Sequence, residues 1–383
     1  MKILVAMSGG VDSSVVAHLL HSQGHDLIGI QFQLWMDPLA PALAQVLPSK
    51  CCTAETLGRA KKVASDLGIP FDRIDLSDEF KREVVDPFLD GYRKGLTPNP
   101  CVGCNRTIKF GKLLEIAEQL GCEKIATGHY ARVAREVSGF RFQVSTHLLL
   151  EAVDKKKDQS YFLYGLSQEQ LSRVLFPLGS MTKKEVFALA RKFDVPLPEH
   201  YQESQDLCFF PEKDPHAFLD RYLSPQHGDM VDTQGKIIGT HEGLPHYTEG
   251  QRRGLKIGGR KIPLHVVAKD TASNRLIVGT KEEAHRGELN AHSLQWVASI
   301  PSPHEEHVFD VRVHSLGLRH RGTLTHDDHT LRFRFEKPVL GVSPGQSIVL
   351  YRGEEVVGGG VISSSEIMTA SSPPSPPPPS IRR

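Results

Sequence analysis

The sequence predicts an α/β protein: an N-terminal domain built on a parallel sheet, a small β-rich central domain, and a C-terminal β-barrel-like domain. Three observations carry this. An apolar run from Ile3 to Met7 breaks at Ser8-Gly9-Gly10 and resumes at helical spacing. Strand-like and helix-like segments then alternate as far as Thr127, the pattern of parallel strands covered on both faces by helices. From His227 onward helical periodicity gives way to short strand-like runs broken by Gly, Pro, Asp and Asn. The expected divisions are residues 1–210, 211–283 and 284–363, followed by a disordered Pro/Ser-rich tail over 364–383.

The first elements read in order as strand Ile3 to Met7, helix Val11 to Leu20 and strand Asp26 to Leu34, a βαβ unit. A helix across Thr53 to Leu67, closed by Gly68 and Pro70, leads to a strand at Phe71 to Asp75. Helices at Glu79 to Arg93 and Lys109 to Leu120 precede a strand at Lys124 to Thr127. In such sheets ligands gather at the carboxyl ends of the strands, where Ser8-Gly9-Gly10 and Thr127-Gly128-His129-Tyr130 both fall. The two loops are expected to share one nucleotide.

Glycines 9 and 10 admit backbone angles closed to other residues, and the helix behind them offers unpaired N–H groups at a positive dipole end. Phosphate suits that position. The GxxxxGK[ST] loop is excluded because its Lys is missing, and GxGxxG does not match SGGVDS.

Between Gly95 and Phe110 the chain reads GLTPNPCVGCNRTIKF, where Pro98 and Pro100 predict an irregular loop running into a helix. A cysteine at a helix N-terminus is expected to have a lowered pKa. Half a zinc site, a redox pair and a catalytic thiol compete for Cys101 and Cys104. Zinc needs two further ligands at a recognisable spacing, and a redox pair leaves the phosphate loop without a purpose; the catalytic thiol is favoured. Cys208, within QESQDLCFFP, reads by itself as a core thiol.

Farther on, YTEGQRRGLKIGGRKIP carries Arg252, Arg253, Lys256, Arg260 and Lys261 with no acid after Glu249, a run suited to a phosphate backbone. The runs VFDVRV, LRFRFEKP and SIVLYRG predict a small barrel. A net charge of +1 on 383 residues excludes a uniformly basic surface, so a nucleic-acid partner must be held by local patches. The five apolar residues after Lys2 are too few for a signal peptide, and no stretch reaches the length of a membrane span. A cytoplasmic location follows as an expectation. Six cysteines are too few to staple a chain of this size and are expected to remain thiols.

In this order, SGGVDSS, Cys51-Cys52, TPNPCVGCN, IKF, ATGHYA, KDQSYFLYGL, SQDLCF, YTEGQRRGL and SPGQSIVLY resemble the bacterial tRNA-specific 2-thiouridylases, of the PP-loop ATP pyrophosphatase superfamily. The resemblance reaches nearly to Ile362 and implies ATP with Mg²⁺, a tRNA substrate, a persulfide-carrying relay protein and a monomer. It implies an ATP site at Ala6, Met7, Ser8, Gly9, Gly10, Val11, Asp12 and Ser13, with Phe32 and Gly128 at the adenine and ribose. Cys208 would carry sulfur as a persulfide, while Cys104 would act as nucleophile and close a transient disulfide with it. Contacts to tRNA would come from Asn99, Pro100, Cys101, His129, Lys157, Asp158, Gln159, Arg319, His320 and Gln346.

Two departures matter. Cys101 stands where some members have aspartate, which opens iron–sulfur ligation by Cys101, Cys104 and Cys208 as an alternative. His320 replaces a usual tyrosine in the divergent segment VRVHSLGLRHRG. Packing is the expected role of Cys51, Cys52 and Cys122. A different class of reading, an ATP-dependent ligase or amidotransferase acting on a small molecule, finds no use for TPNPCVGCN with Cys208.

Overall fold

The computed structural model describes residues 1–41, 53–138, 144–196, 207–210, 214–258 and 262–367. Cys51-Cys52, Arg260, Lys261 and residues 368–383 of the Pro/Ser-rich tail lie outside the described residues. Among the described residues no helix is long and apolar enough to cross a membrane.

Strands β1 (Lys2–Ala6), β2 (Asp26–Gln33), β3 (Phe71–Asp75) and β4 (Lys124–Ala126) form a parallel sheet in the order β3-β2-β1-β4, extended beyond β4 by Val174–Leu175. Ile3, Val5 and Met7 pack against Val11, Val15, Val16 and Leu20 of helix α1 (Val11–Ser22). Leu4 faces the opposite way, into a cluster with Phe110, Leu113 and Ile125. Each face has its own core, and for that reason β1 is apolar throughout rather than alternating. The strand order reverses between β1 and β4, which opens a crevice at their carboxyl ends.

The loop before the cysteines is shorter than the prolines suggest. Helical structure begins at Pro100 and runs through Pro100–Gly103, a π-helical stretch Cys104–Lys112 and Leu113–Gln119. Pro100 has no N–H to lose at a first helical position and its φ is already set, so the residue read as a loop marker is a helix starter. Both cysteines therefore sit on the first turns of a helix. The wider π turn, with one extra residue, is commonest at functional positions.

The second half holds two β units and one helix that patterning did not reveal, Pro215–Leu223. Four strands form a small mixed sheet: His265–Asp270, Arg275–Gly279, Gly228–Val231 and Ile237–His241, with only the middle pair parallel. Six antiparallel strands from His285–Trp296 to Glu355–Ile367 close into a barrel, the first pairing with the last. A hairpin from the first half, Ala131–Ser138 with Val144–Glu151, adds to this barrel sheet through Leu149 and Leu150. Its pairing with Glu355 and Val356 spans some two hundred residues, which no local pattern encodes.

Candidate active site

The loop after β1 is held from three sides. Gly9 has φ of +73°, and a Cβ there would stand 2.0 Å from the Thr56 carbonyl oxygen, so only glycine fits against the start of helix Ala54–Asp66. Arg59 Nε donates to the Gly9 carbonyl at 2.8 Å, and Gln31 Nε2 donates to that of Ser8 at 3.4 Å. No side chain caps α1 at Gly10, and Ser13 and Ser14 turn their hydroxyls back to the Gly10 carbonyl. The first-turn N–H groups thus face the crevice, the arrangement that binds phosphate.

The second loop closes on the first. A Cβ at Gly128 would stand 3.1 Å from both Asp12 Cβ and Ser13 N. Tyr130 Oη donates to Asp12 Oδ1 at 3.0 Å. Lys183, at the start of helix Lys183–Lys192, reaches both oxygens of Asp12 at 2.7 and 2.8 Å while lying over the rings of Tyr130 and Phe187. Neither Lys183 nor Arg59 was flagged by the sequence, since each belongs to a helix far from the glycines along the chain. The capping box of Thr182 with Glu185 marks that helix start and is the one local signal for Lys183.

The thiols lie at the neighbouring strand end. Phe32, near the end of β2, packs on an apolar cluster that contains buried Cys104 and half-buried Cys208, with Phe80, Phe88, Phe209 and Phe210. Cys208 alone reads as core, and it packs against the same apolar cluster that contains Cys104. Cys101, Cys104, Cys122 and Cys208 are not in disulfides. The expectation of a lowered thiol pKa is corrected for Cys101: burial pushes it up, only partly offset by the charge of Lys109. Burial likewise drives His129 well below its ordinary range, again with Lys109 nearby, so it is a neutral ring against Phe110 and Phe176. Among the described residues no three His, Cys, Asp or Glu side chains are gathered to hold a metal ion.

Parts of the small mixed sheet and of the barrel converge on residues 95–98. Thr97 N donates to the Pro344 carbonyl at 2.8 Å, and Gln346 Nε2 donates to the Thr97 carbonyl at 2.7 Å. Lys269 Nζ donates to the Leu96 carbonyl at 3.3 Å and to Thr97 Oγ1 at 3.4 Å. Gln346 therefore anchors the segment that carries Asn99, Pro100 and Cys101. Burial lowers Lys269 to about 8, opposed by Glu249. The unfolded chain binds this proton more tightly, so stability rises with pH between about 8 and 10.5. Lys269→Met is expected to remove a rise on the order of 3 kcal/mol, read as the difference between wild-type and variant unfolding free energies across that window.

Other expected RNA contacts turn inward. Asp158 is buried and accepts from Ala152 N, Ser160 N and Oγ, and Arg312 Nη1. Arg319 pairs with Glu151 at 2.7 Å and covers the Tyr351 ring at 4.3 Å. His320 leads a barrel strand with its ring edge-on to Phe335, and burial lowers its pKa. Lys157 and Gln159 are half-buried. In the basic run Arg252 and Arg253 are exposed, whereas Lys256 pairs with Glu242 at 2.6 Å, an acid the local sequence could not reveal.

Three family models match in series: the tRNA methyl transferase HUP domain at residues 1–212, the tRNA methyl transferase PRC-barrel domain at 216–280 and the aminomethyltransferase beta-barrel domain at 286–362. A tRNA-specific 2-thiouridylase MnmA of Synechocystis sp. is 42% identical over 368 residues, covering 93% of this chain and 95% of its own length. The chain belongs to the tRNA-specific 2-thiouridylase family. Proteins of the same name from Geobacter metallireducens and Chloroflexus aurantiacus are 43% and 45% identical, each matched over 93% of this chain and covered to 95% and 97% of their own length.

Proposed function

We propose that this chain is a tRNA-uridine 2-sulfurtransferase that thiolates the wobble uridine at the expense of ATP. One observation carries the reading: Phe32, near the carboxyl end of β2, packs on the apolar cluster of Cys104 and Cys208, in the same sheet whose β1 runs into the glycine loop. ATP supplies the leaving group. The uracil 2-oxygen attacks the α-phosphorus, pyrophosphate departs along the loop of Ala6 to Ser13, and the C2–O bond becomes breakable. Asp12, Ser8 and Ser13 offer oxygens suited to a magnesium ion arriving with the nucleotide, Ser8 and Ser13 hydroxyls standing 3.2 Å apart.

Sulfur then moves in two bonds. A Cys208 persulfide, loaded by a persulfide-carrying protein, attacks C2 through its terminal sulfur and AMP leaves with the oxygen. Cys104 attacks the Cys208 sulfur, freeing the 2-thiouridine and forming a Cys104–Cys208 disulfide that an external dithiol reduces. Half-buried Cys208 is the more accessible to a donor, and buried Cys104 is suited to the inner step.

Purified protein given an unmodified tRNA transcript, ATP and a persulfide donor should yield 2-thiouridine by nucleoside mass spectrometry, with one AMP and one pyrophosphate per sulfur. AMP formation without thiolated nucleoside, or no AMP at all, would refute the assignment.

A further inference from the structure

We propose that Tyr130 couples nucleotide binding to tRNA binding; the inference rests on the function proposed above and adds a linkage between its two substrates. Tyr130 is buried and bonded at three atoms. Its hydroxyl donates to Asp12 at 3.0 Å, its N–H donates to Gln159 Oε1 at 2.9 Å, and its carbonyl accepts from Gln159 N at 2.8 Å. One residue therefore spans from the phosphate loop, through its hydroxyl, to the segment 157–159, through its backbone N–H and carbonyl.

That segment is itself tied to the barrel. Arg312 donates to Asp158 at 2.9 Å and pairs with Glu151 at 2.9 Å, where Arg319 also pairs at 2.7 Å. The Tyr351 ring lies beneath both guanidinium groups, at 5.2 and 4.3 Å. Two arginines thus balance two buried carboxylates, and a network of this kind is costly to leave half satisfied. It moves as a unit or not at all. A polyanion that reaches Arg319, whose side chain is 24% exposed, competes with Glu151 for it and disturbs the network that holds 157–159. The Gln159 clamp passes the shift to Tyr130, whose hydroxyl sets the orientation of the Asp12 carboxylate beside Lys183. Linkage requires the converse, that nucleotide at Asp12 alters affinity for RNA by the same factor.

The test measures binding of α,β-methylene-ATP to the full chain with and without a saturating unmodified tRNA transcript. In wild type the nucleotide dissociation constant should change by about tenfold, a usual size for coupling. Tyr130→Phe, which keeps the ring and loses only the hydroxyl, should bring that ratio to within about twofold of one while its melting temperature stays near wild type. Gln159→Leu should do the same, and Gln159→Glu, which keeps an acceptor for the Tyr130 N–H, should restore the ratio. A wild-type ratio of one, or Tyr130→Phe with the wild-type ratio, overturns the coupling and leaves the function standing. Failure of wild type to bind either ligand overturns the function and the coupling together.

Discussion

Lys183→Met should lower the rate of AMP and pyrophosphate formation by about a hundredfold or more, the cost of removing one preorganised charge from a site where negative charge develops. The cation is already in place: it lies 2.7 and 2.8 Å from the two Asp12 oxygens with its side chain only 11% exposed. Nothing need reorganise when pyrophosphate begins to leave. The same substitution strips Asp12 of its cation partner, so Asp12→Ala alone should cost as much, and the double variant little more than either single. Near-equal single and double losses, read in a pyrophosphate-release assay at saturating ATP, fit two residues acting as one unit. Independent, multiplying losses would mean that Lys183 merely braces the Lys183–Lys192 helix. Lys183→Arg retains the charge and should recover part of the rate.

How far such a site can be read along the chain depends on the range of the contacts. The strand, glycine turn and helix start around Ser8-Gly9-Gly10 were legible because they are consecutive and their signals are local. The parallel sheet followed from the same logic: Ile3 to Met7 has a buried face on each side. Lys183 and Arg59 were not legible, because an isolated cation in an amphipathic helix looks like any solvated lysine or arginine until the fold returns it to the glycines. The partners of Asp158 and Arg319 were not legible either: Arg312 and Glu151 are supplied by distant strands, a pairing that no local pattern encodes. The helix start at Pro100 was misjudged for a simpler reason, since proline ends a helix from within but opens one at its first position.

Cys208→Ser is expected to accept no sulfur from a persulfide donor and to thiolate no tRNA, whereas Cys104→Ser should load a persulfide on Cys208 yet fail to complete turnover. The argument is one of access and bond order. Cys104 is 5% exposed on the π-helical stretch, while Cys208 is half-buried in the same apolar cluster, so only Cys208 offers its sulfur to an outside protein. A persulfide sulfur joined to C2 remains bonded to Cys208 until a second thiol breaks that S–S bond, and no hydroxyl can replace it. Activity should therefore fall at least about a thousandfold in either variant, but only Cys104→Ser should trap a covalent protein–RNA adduct that a reducing agent releases. Cys101→Ser should be milder: burial raises the Cys101 thiol, which leaves less thiolate, the form able to attack. Intact-mass analysis of the three variants after exposure to donor, ATP and tRNA distinguishes these outcomes. Persulfide on Cys104 in Cys208→Ser, or equal collapse in all three variants, would reverse the order of transfer proposed here.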